Sequence, residues 1–315
     1  MTTPTVTFVI PCFNHGTFVR QAVESCLRQE GADVRVVVVD DGSNDGTTPA
    51  ACDACSGDRV RVVHQVNGGL PAARNRGAAG ATSEYLAFLD ADDWVEPRFV
   101  ADLAAAIGAE AAAGRDSDIS HAYCQERLVE KGRGIWRVPD WDPLLMMITN
   151  IHPVTALVRR ERFASVGGFT ESMRGGYEDW ELWLKFVERG WRGVRVREPL
   201  FVWRRHSDAT MIMGVIANHE ELYRGIMERH RGLYDARARE LLLRTNVLLR
   251  RCDMNWIDES GDPINYRAFK RQREVYEAMP GVRLQRKFRR VAATLPRPLA
   301  GLARRGAEWA RRFLV

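Results

Sequence analysis

The first ninety residues repeat one arrangement: a short apolar run, a polar turn at its C-terminal end, then a stretch with helical spacing. The runs are TVTFVIP (5–11), VRVVVVD (34–40), RVRVVHQ (59–65) and EYLAFLD (84–90). Between them, residues 16–29 carry Phe18, Ala22, Val23, Cys26 and Leu27 at helical spacing, Thr47 or Thr48 can begin a helix, and Leu70–Ala79 is rich in Ala and Arg. A strand apolar on both faces, as at 34–39, suits the centre of a parallel sheet. The alternation βαβαβαβ therefore predicts an α/β fold, a Rossmann-like and mostly parallel sheet flanked by helices. In such sheets ligands bind outside the carboxyl ends of the strands. Pro11, Asp40, Asp41, Asp90 and Asp92 all fall at those ends.

The later sequence is less regular. IHPVTALVRR (151–160) reads as a strand and Glu161–Val166 as a short helix broken by Gly167 and Gly168. GYEDWELWLKFVERG predicts an amphipathic helix with Trp180, Trp183, Leu184 and Val187 on one face. GVRVREPLFVWRRH reads as two short strands or one bent one, and 114–150 as loops without a motif. From about Val215 the pattern is helical and rich in arginine, which places a boundary near 214 between a domain at 1–214 and a helical, basic region at 215–315.

Five groups of residues carry candidate chemistry. In LDADDW, three carboxylates within four residues repel one another unless a cation or hydrogen bonds compensate. Mg²⁺ or Mn²⁺ takes oxygen ligands, few of them protein carboxylates and the rest from water and phosphate. The competing reading is a helix cap; Asp92 is expected to bind metal and Asp93 to cap. In VVVVDDGSNDGT, Asp41 can accept from a base N–H or a ribose hydroxyl, or the segment is a turn using Asp and Gly for their backbone habits. In NGGLPAARNRGAA, Gly68 and Gly69 allow close backbone approach, while Arg74 and Arg76 can face phosphate or base. In GYEDWELW, an acid in the first turn of a helix is either a cap or a general base. In FVWRRHSDATM, His206 can ligate a metal through neutral imidazole or be structural, with Arg204 or Arg205 near phosphate.

The net charge is +5 and the pI about 9.0, a balance that suggests an anionic partner. The distribution of charge favours a nucleotide diphosphate or an anionic membrane surface over nucleic acid. Six scattered cysteines fit reduced thiols, and the Cys52–Cys55 pair lacks partners for a zinc site. No apolar run reaches the roughly 18 residues of a transmembrane helix. The N-terminus lacks a signal peptide's basic start and cleavage site, so a cytoplasmic location is expected.

In order and spacing, VIPCFN, VVVVDDGSNDGT, NGGLPAARNRG, FLDADDW, VGGF with EDWELW, and WRRH resemble the family-2 glycosyltransferases of GT-A fold, over residues 5–210. The resemblance implies an inverting transfer from a nucleotide sugar, with UDP-sugars favoured, to a hydroxyl of a glycan or lipid-linked acceptor in cell-surface polysaccharide synthesis. It implies Pro11, Asn14, Asp41, Asn67, Arg74 and Asp90 at the donor, Asp92 and His206 at a divalent metal, and Asp179 as catalytic base. Gly167, Gly168 and Phe169 match an acceptor-side loop.

Residues 282–315 contain Glu308 as their only acid, with Leu299, Leu302, Trp309 and Phe313 on one helical face. Such a helix can lie peripherally on the inner face of an anionic membrane, pack on the catalytic domain, or join two copies in a homodimer. Two rival functions are a nucleotidyltransferase that makes sugar nucleotides and a basic nucleic-acid-binding protein. The first lacks its glycine-rich N-terminal loop. The second lacks aromatics interleaved with arginine, and nucleic acid is not an expected partner.

Overall fold

The computed structural model describes residues 3–130, 133–205, 215 and 217–253. His206, the boundary near 214 and the basic segment 282–315 lie outside the described residues. Met1–Leu242 form one compact unit and Leu243–Val315 a second. Among the described residues, no helix is long and apolar enough to cross a membrane.

The repeat of the first ninety residues becomes β1 (Thr5–Cys12), α1 (Gly16–Leu27), β2 (Asp33–Asp40), α2 (Thr48–Asp53), β3 (Val60–His64), α3 (Leu70–Ala78) and β4 (Tyr85–Phe88). These strands lie side by side in the order β3-β2-β1-β4, and every pair is parallel. Successive side chains of a strand point to opposite faces, and both faces here are covered. Phe8, Ile10, Val36 and Val38 pack with Val19, Ala22, Val23 and Cys26 of α1. On the other face, Val37 and Val39 meet Ala73 of α3, and Val9, Leu86 and Phe88 join a large aromatic cluster.

Helix α3 lies against the sheet at a distance only glycine permits. A Cβ on Gly77 would sit 2.3 Å from Val9 Cγ1 and 3.2 Å from Val39 Cγ2. Gly77→Ala is expected to cost about 1–3 kcal/mol through overpacking. Urea denaturation checks this, and an unchanged midpoint would contradict the close approach.

Beyond β4 the chain forms β5 (Trp94–Val95), α4 (Phe99–Ala112), β6 (Ile119–Glu130), β7 (Gly134–Trp136), α5 (Pro143–Ile148), β8 (Leu157–Arg159), α6 (Arg160–Ser165), α7 (Glu178–Glu188), β9 (Arg192–Arg205), α8 (His219–Arg229) and α9 (Arg231–Asp253). The sheet continues β4-β8-β6-β9-β5, with β7 paired to β6. In this half only β6 and β9 run parallel; β8, β7 and β5 pair antiparallel.

Three local expectations change, and the open choice before His206 is resolved. The 114–150 region is not all loop, because it holds β6. Its buried part includes Ser120, His121, Gln125 and Glu126, and these polar residues interrupt the apolar run by which a buried strand is read. Of 151–160, only Leu157–Arg159 is strand. His152 instead stacks on Tyr123, with ring centroids 4.1 Å apart. The segment before His206 is one bent strand: Val196–Phe201 of β9 run opposite only Cys124–Glu126 of β6, with Pro199 at the irregularity. Helix α7 is buried more widely than one face, since Leu182, Phe186, Glu178 and Glu181 are buried beside the expected Trp180, Trp183, Leu184 and Val187.

Candidate active site

The loops at the carboxyl ends of β1, β2 and β4 meet the N-termini of α3 and α7. Asp41, buried at the end of β2, accepts the N–H groups of Gly68 (2.7 Å) and Gly69 (2.8 Å) on its two carboxylate oxygens, and Gln65 Nε2 at 2.8 Å. The carboxylate thus ties β2 to the entry of α3. Asp40 accepts from Ser43 N (3.1 Å) and pairs with His64 Nδ1 (2.8 Å), whose Nε2 meets Asp53 at 2.9 Å. Against burial, Ser43 and His64 hold Asp40 below the usual carboxylate range. Asp53 and then Asp40 raise His64.

Pro11 is buried beside Val39 in β1. Asn14 adopts a left-handed φ of 57° and joins the β1 and β2 loops: its side chain exchanges hydrogen bonds with Asn44, both 2.9 Å, and its N–H donates to Ser43 Oγ at 3.0 Å. Asn67 accepts Arg174 Nη2 on its carbonyl (3.2 Å) and side chain (3.0 Å). The same guanidinium crosses Gly69, where a Cβ would come within 2.8 Å of Arg174 Nε.

Arg74 joins Asp90, beyond the end of β4, to α7. It is 2% exposed, donates to Asp90 Oδ1 at 2.7 Å and to Glu178 Oε1 at 2.6 Å, and lies 5.5 Å from the centre of the Phe169 ring. Phe169 is fixed by Asn75, which accepts its N–H and donates to its carbonyl, both at 2.9 Å. The VGGF loop therefore lies on α3, beneath the arginine. Arg76 is exposed.

Helix α7 begins after Tyr177, which has a left-handed φ of 63°, preceded by Gly176 at 117°. This turn sets Glu178 toward Arg74 and leaves Asp179 half-buried. Asp179 accepts the Trp180 N–H (2.7 Å) and Asn150 Nδ2 (3.0 Å). Burial, then the Glu178 carboxylate, push the Asp179 carboxyl up to about 7, against the pull of Arg74. A carboxylate that titrates near neutrality suits a general base.

The acidic loop is held from β9. Asp93 is buried and accepts the Arg204 N–H at 2.7 Å. Helix α4 starts at Phe99 with Arg98 at its N-cap, so Asp93 is not the helix cap expected from the sequence. Arg204 Nε donates to the Asp92 carbonyl at 2.8 Å, and its guanidinium also bonds Gln21 and Glu130 and lies over Phe18 and Trp94. Burial, then the Asp92 and Asp90 carboxylates, raise Asp93 well above the usual range.

The Asp92 carboxylate stands 3.8 Å from His15 Nδ1. Among the described residues, no group of three His, Cys, Asp or Glu side chains converges on a metal position. The donor set nevertheless suits a hard divalent ion that uses one or two carboxylates and completes its shell with phosphate and water. It offers oxygen donors at Asp90 and Asp92, and among the described residues no cationic side chain is bonded to the neighbouring Asp93 carboxyl, which accepts a backbone N–H.

The structure thus brings Arg74, Asp90 and Glu178 into one hydrogen-bonded group, with Asp179 next to Glu178 on α7 and Asp92 in the same loop as Asp90. It gives Asp41, Asn14 and Asn67 bonds within the surrounding loops. Sequence reasoning assigned nothing to Glu178, His15, Arg174 or Glu126. Glu178 was signalled by its place in the acidic pair. Glu126 had no signal, since a lone acid in an unrecognised strand looks like surface.

Residues 7–167 match the family model described as Glycosyl transferase family 2. The putative glycosyltransferase EpsH of Bacillus subtilis is 36% identical over 111 residues, 35% of this chain and 32% of that protein. The succinoglycan biosynthesis protein ExoO of Rhizobium meliloti is 43% identical over 113 residues, again 35% and 32%. The matches thus span less than half of either relative. In fold, the chain is similar to Staphylococcus aureus TarS 1-349 in complex with UDP-GlcNAc (TM-score 0.52, 17% identity, 98% of this chain and 89% of that one). It is equally similar to the mannosyltransferase PcManGT of Pyrobaculum calidifontis in complex with GDP-Man and Mn²⁺ (0.52, 17%, 99% and 88%).

Proposed function

The chain belongs to glycosyl transferase family 2, and on that premise we propose that it transfers a sugar, with inversion, from a nucleotide sugar to a hydroxyl of a glycan or lipid-linked acceptor during polysaccharide synthesis. The observation that carries this reading is the joined site at the strand ends, where buried Arg74 links Asp90 to the α7 terminus that holds Asp179. A UDP-sugar is the favoured donor. TarS is described with UDP-GlcNAc and PcManGT with GDP-Man and Mn²⁺, which supports the class of donor and the use of metal.

Asp179 takes the proton of the acceptor hydroxyl as that oxygen attacks the anomeric carbon. The Trp180 N–H and Asn150 fix the carboxylate for that task. Arg74 keeps Glu178 paired, so that the second acid of α7 stays out of the proton transfer. Asp41 holds the Gly68–Gly69 turn in place, and this turn with Asn14 and Pro11 lines the nucleoside side. Asp92 would hold Mn²⁺ or Mg²⁺ with Asp90 beside it. A divalent ion bound there supplies charge neutralisation for the departing diphosphate.

A screen for nucleoside diphosphate release over UDP-, GDP- and dTDP-sugars, with and without Mn²⁺ or Mg²⁺, tests the reading. Pyrophosphate as product, or silence across all donors, would reject it. Asp92→Ala is expected to weaken metal-dependent donor binding by more than the roughly 10–100-fold that loss of an outer-shell partner costs a metal site. Calorimetric titration of donor with and without Mn²⁺ measures this, and an unchanged metal dependence would remove Asp92 from the ligand set.

A further inference from the structure

Glu126 is a buried acid that bonds to nothing among the described residues. It is 0% exposed, and neither carboxylate oxygen has a hydrogen-bond partner among the described residues. Buried polar groups are nearly always paired, and leaving one unpaired costs stability. A carboxyl that a fold retains on those terms calls for a partner that arrives from outside.

The register of the sheet gives its height. Leu86 of β4 is level with Val158 of β8, which is level with His121 of β6; Ala87, Leu157 and Ala122 make the next row. Strands β4 and β6 point the same way, so continuing this count carries Glu126 past Phe88, the end of β4, to the side of the sheet where the acidic loop leaves it. On β9 it faces Phe201, just beyond the irregularity that bends that strand. Bulges of this kind re-aim side chains beside active sites. Its neighbour Gln125 is turned to another use, donating to the Val138 carbonyl at 3.3 Å.

Two acids of the site interact electrostatically with it. Burial, then the Asp179 carboxylate, push Glu126 up to about 8, and Glu126 in turn contributes to the rise at Asp93. In the sheet, Phe201 of β9 lies between Glu126 of β6 and Val95 of β5, the strand that follows the acidic loop, so Glu126 stands in the row beside that loop. In an in-line displacement the transferred sugar ring lies between the acceptor's base and the departing diphosphate. A carboxyl there, able to donate one hydrogen bond and accept others, meets the ring hydroxyls.

We propose that Glu126 binds a hydroxyl of the sugar being transferred and so sets which donor sugar is accepted. The proposal rests on the glycosyltransferase reading above. A site built to bond a hydroxyl discriminates strongly against a ligand that lacks it, because its own polar group is then left unpaired.

The test compares wild type, Glu126→Gln and Glu126→Met against the favoured donor, its deoxy analogues and the nucleoside diphosphate alone. Glu126→Met is expected to lower kcat/KM for the favoured donor by about 100-fold or more, with Glu126→Gln in between and nucleoside diphosphate affinity unchanged. One deoxy donor should lose as much in wild type and lose nothing further in Glu126→Met. The methionine variant should melt no lower than wild type, since an unpaired buried acid has been removed.

Unchanged kcat/KM and donor ranking would overturn the proposal. So would a lower melting temperature in both variants, or a parallel loss of nucleoside diphosphate affinity. Wild type inert on every donor marks failure of the glycosyltransferase reading and takes this one with it. Wild type active with unaffected variants marks failure of this inference alone.

Discussion

Asp179→Asn is expected to lower sugar transfer by about 10²–10⁴-fold, the usual worth of a general base, and to leave donor affinity intact. Asparagine keeps the size of the side chain and can still accept the Trp180 N–H through its amide oxygen. It cannot take a proton from an acceptor hydroxyl. Titration of donor into the variant separates the base from a binding residue, and full transfer by the variant would remove Asp179 from the mechanism.

The pH dependence gives an independent check. Asp179 must be unprotonated to act, and its carboxyl is pushed up to about 7. Wild-type kcat/KM should therefore climb about tenfold per pH unit below pH 7, as the active fraction of the base grows, and level off above it. The rising limb should vanish in Asp179→Asn. A limb that survives in the variant belongs to another group.

The parts of this site differ in how far the sequence reveals them, and the difference is physical. Positions at parallel strand ends are legible because strand period, turn residues and ligand location follow from local chemistry. That is how the sequence sets Asp41, Asp90 and Asp92 at strand ends, and the four parallel strands are read with them. What a side chain bonds to is not local. Asp41 reaches Gly68 and Gly69, and Arg74 reaches Glu178, a residue 104 positions along the chain. The cap assigned to Asp93 failed because the competing donor, the Arg204 N–H, is 111 residues away. Strand β6 went unread because Ser120, His121, Gln125 and Glu126 interrupt its buried apolar residues. Rules that find core strands by apolar runs lose them where polar residues are buried inside.

Arg74→Met is expected to destabilise the fold by about 3–5 kcal/mol, the cost of removing one partner from a buried ion pair. Methionine fills much of the same volume, so the loss is electrostatic more than steric. The two carboxylates left behind do not suffer equally. The side chain of Asp90 is 40% exposed and can regain water, whereas that of Glu178 is 9% exposed and cannot. Most of the cost should therefore sit on Glu178, and adding Glu178→Gln to Arg74→Met should recover part of it. Urea denaturation of the two variants measures the recovery. If the double variant is no more stable than the single, the energy lies elsewhere, with the Phe169 contact the next candidate. Arg74 also holds Asp179 down, so its loss should move the rising limb of the pH profile to higher pH. A folded Arg74→Met protein with an unshifted limb would show that the arginine supports α7 without tuning the base.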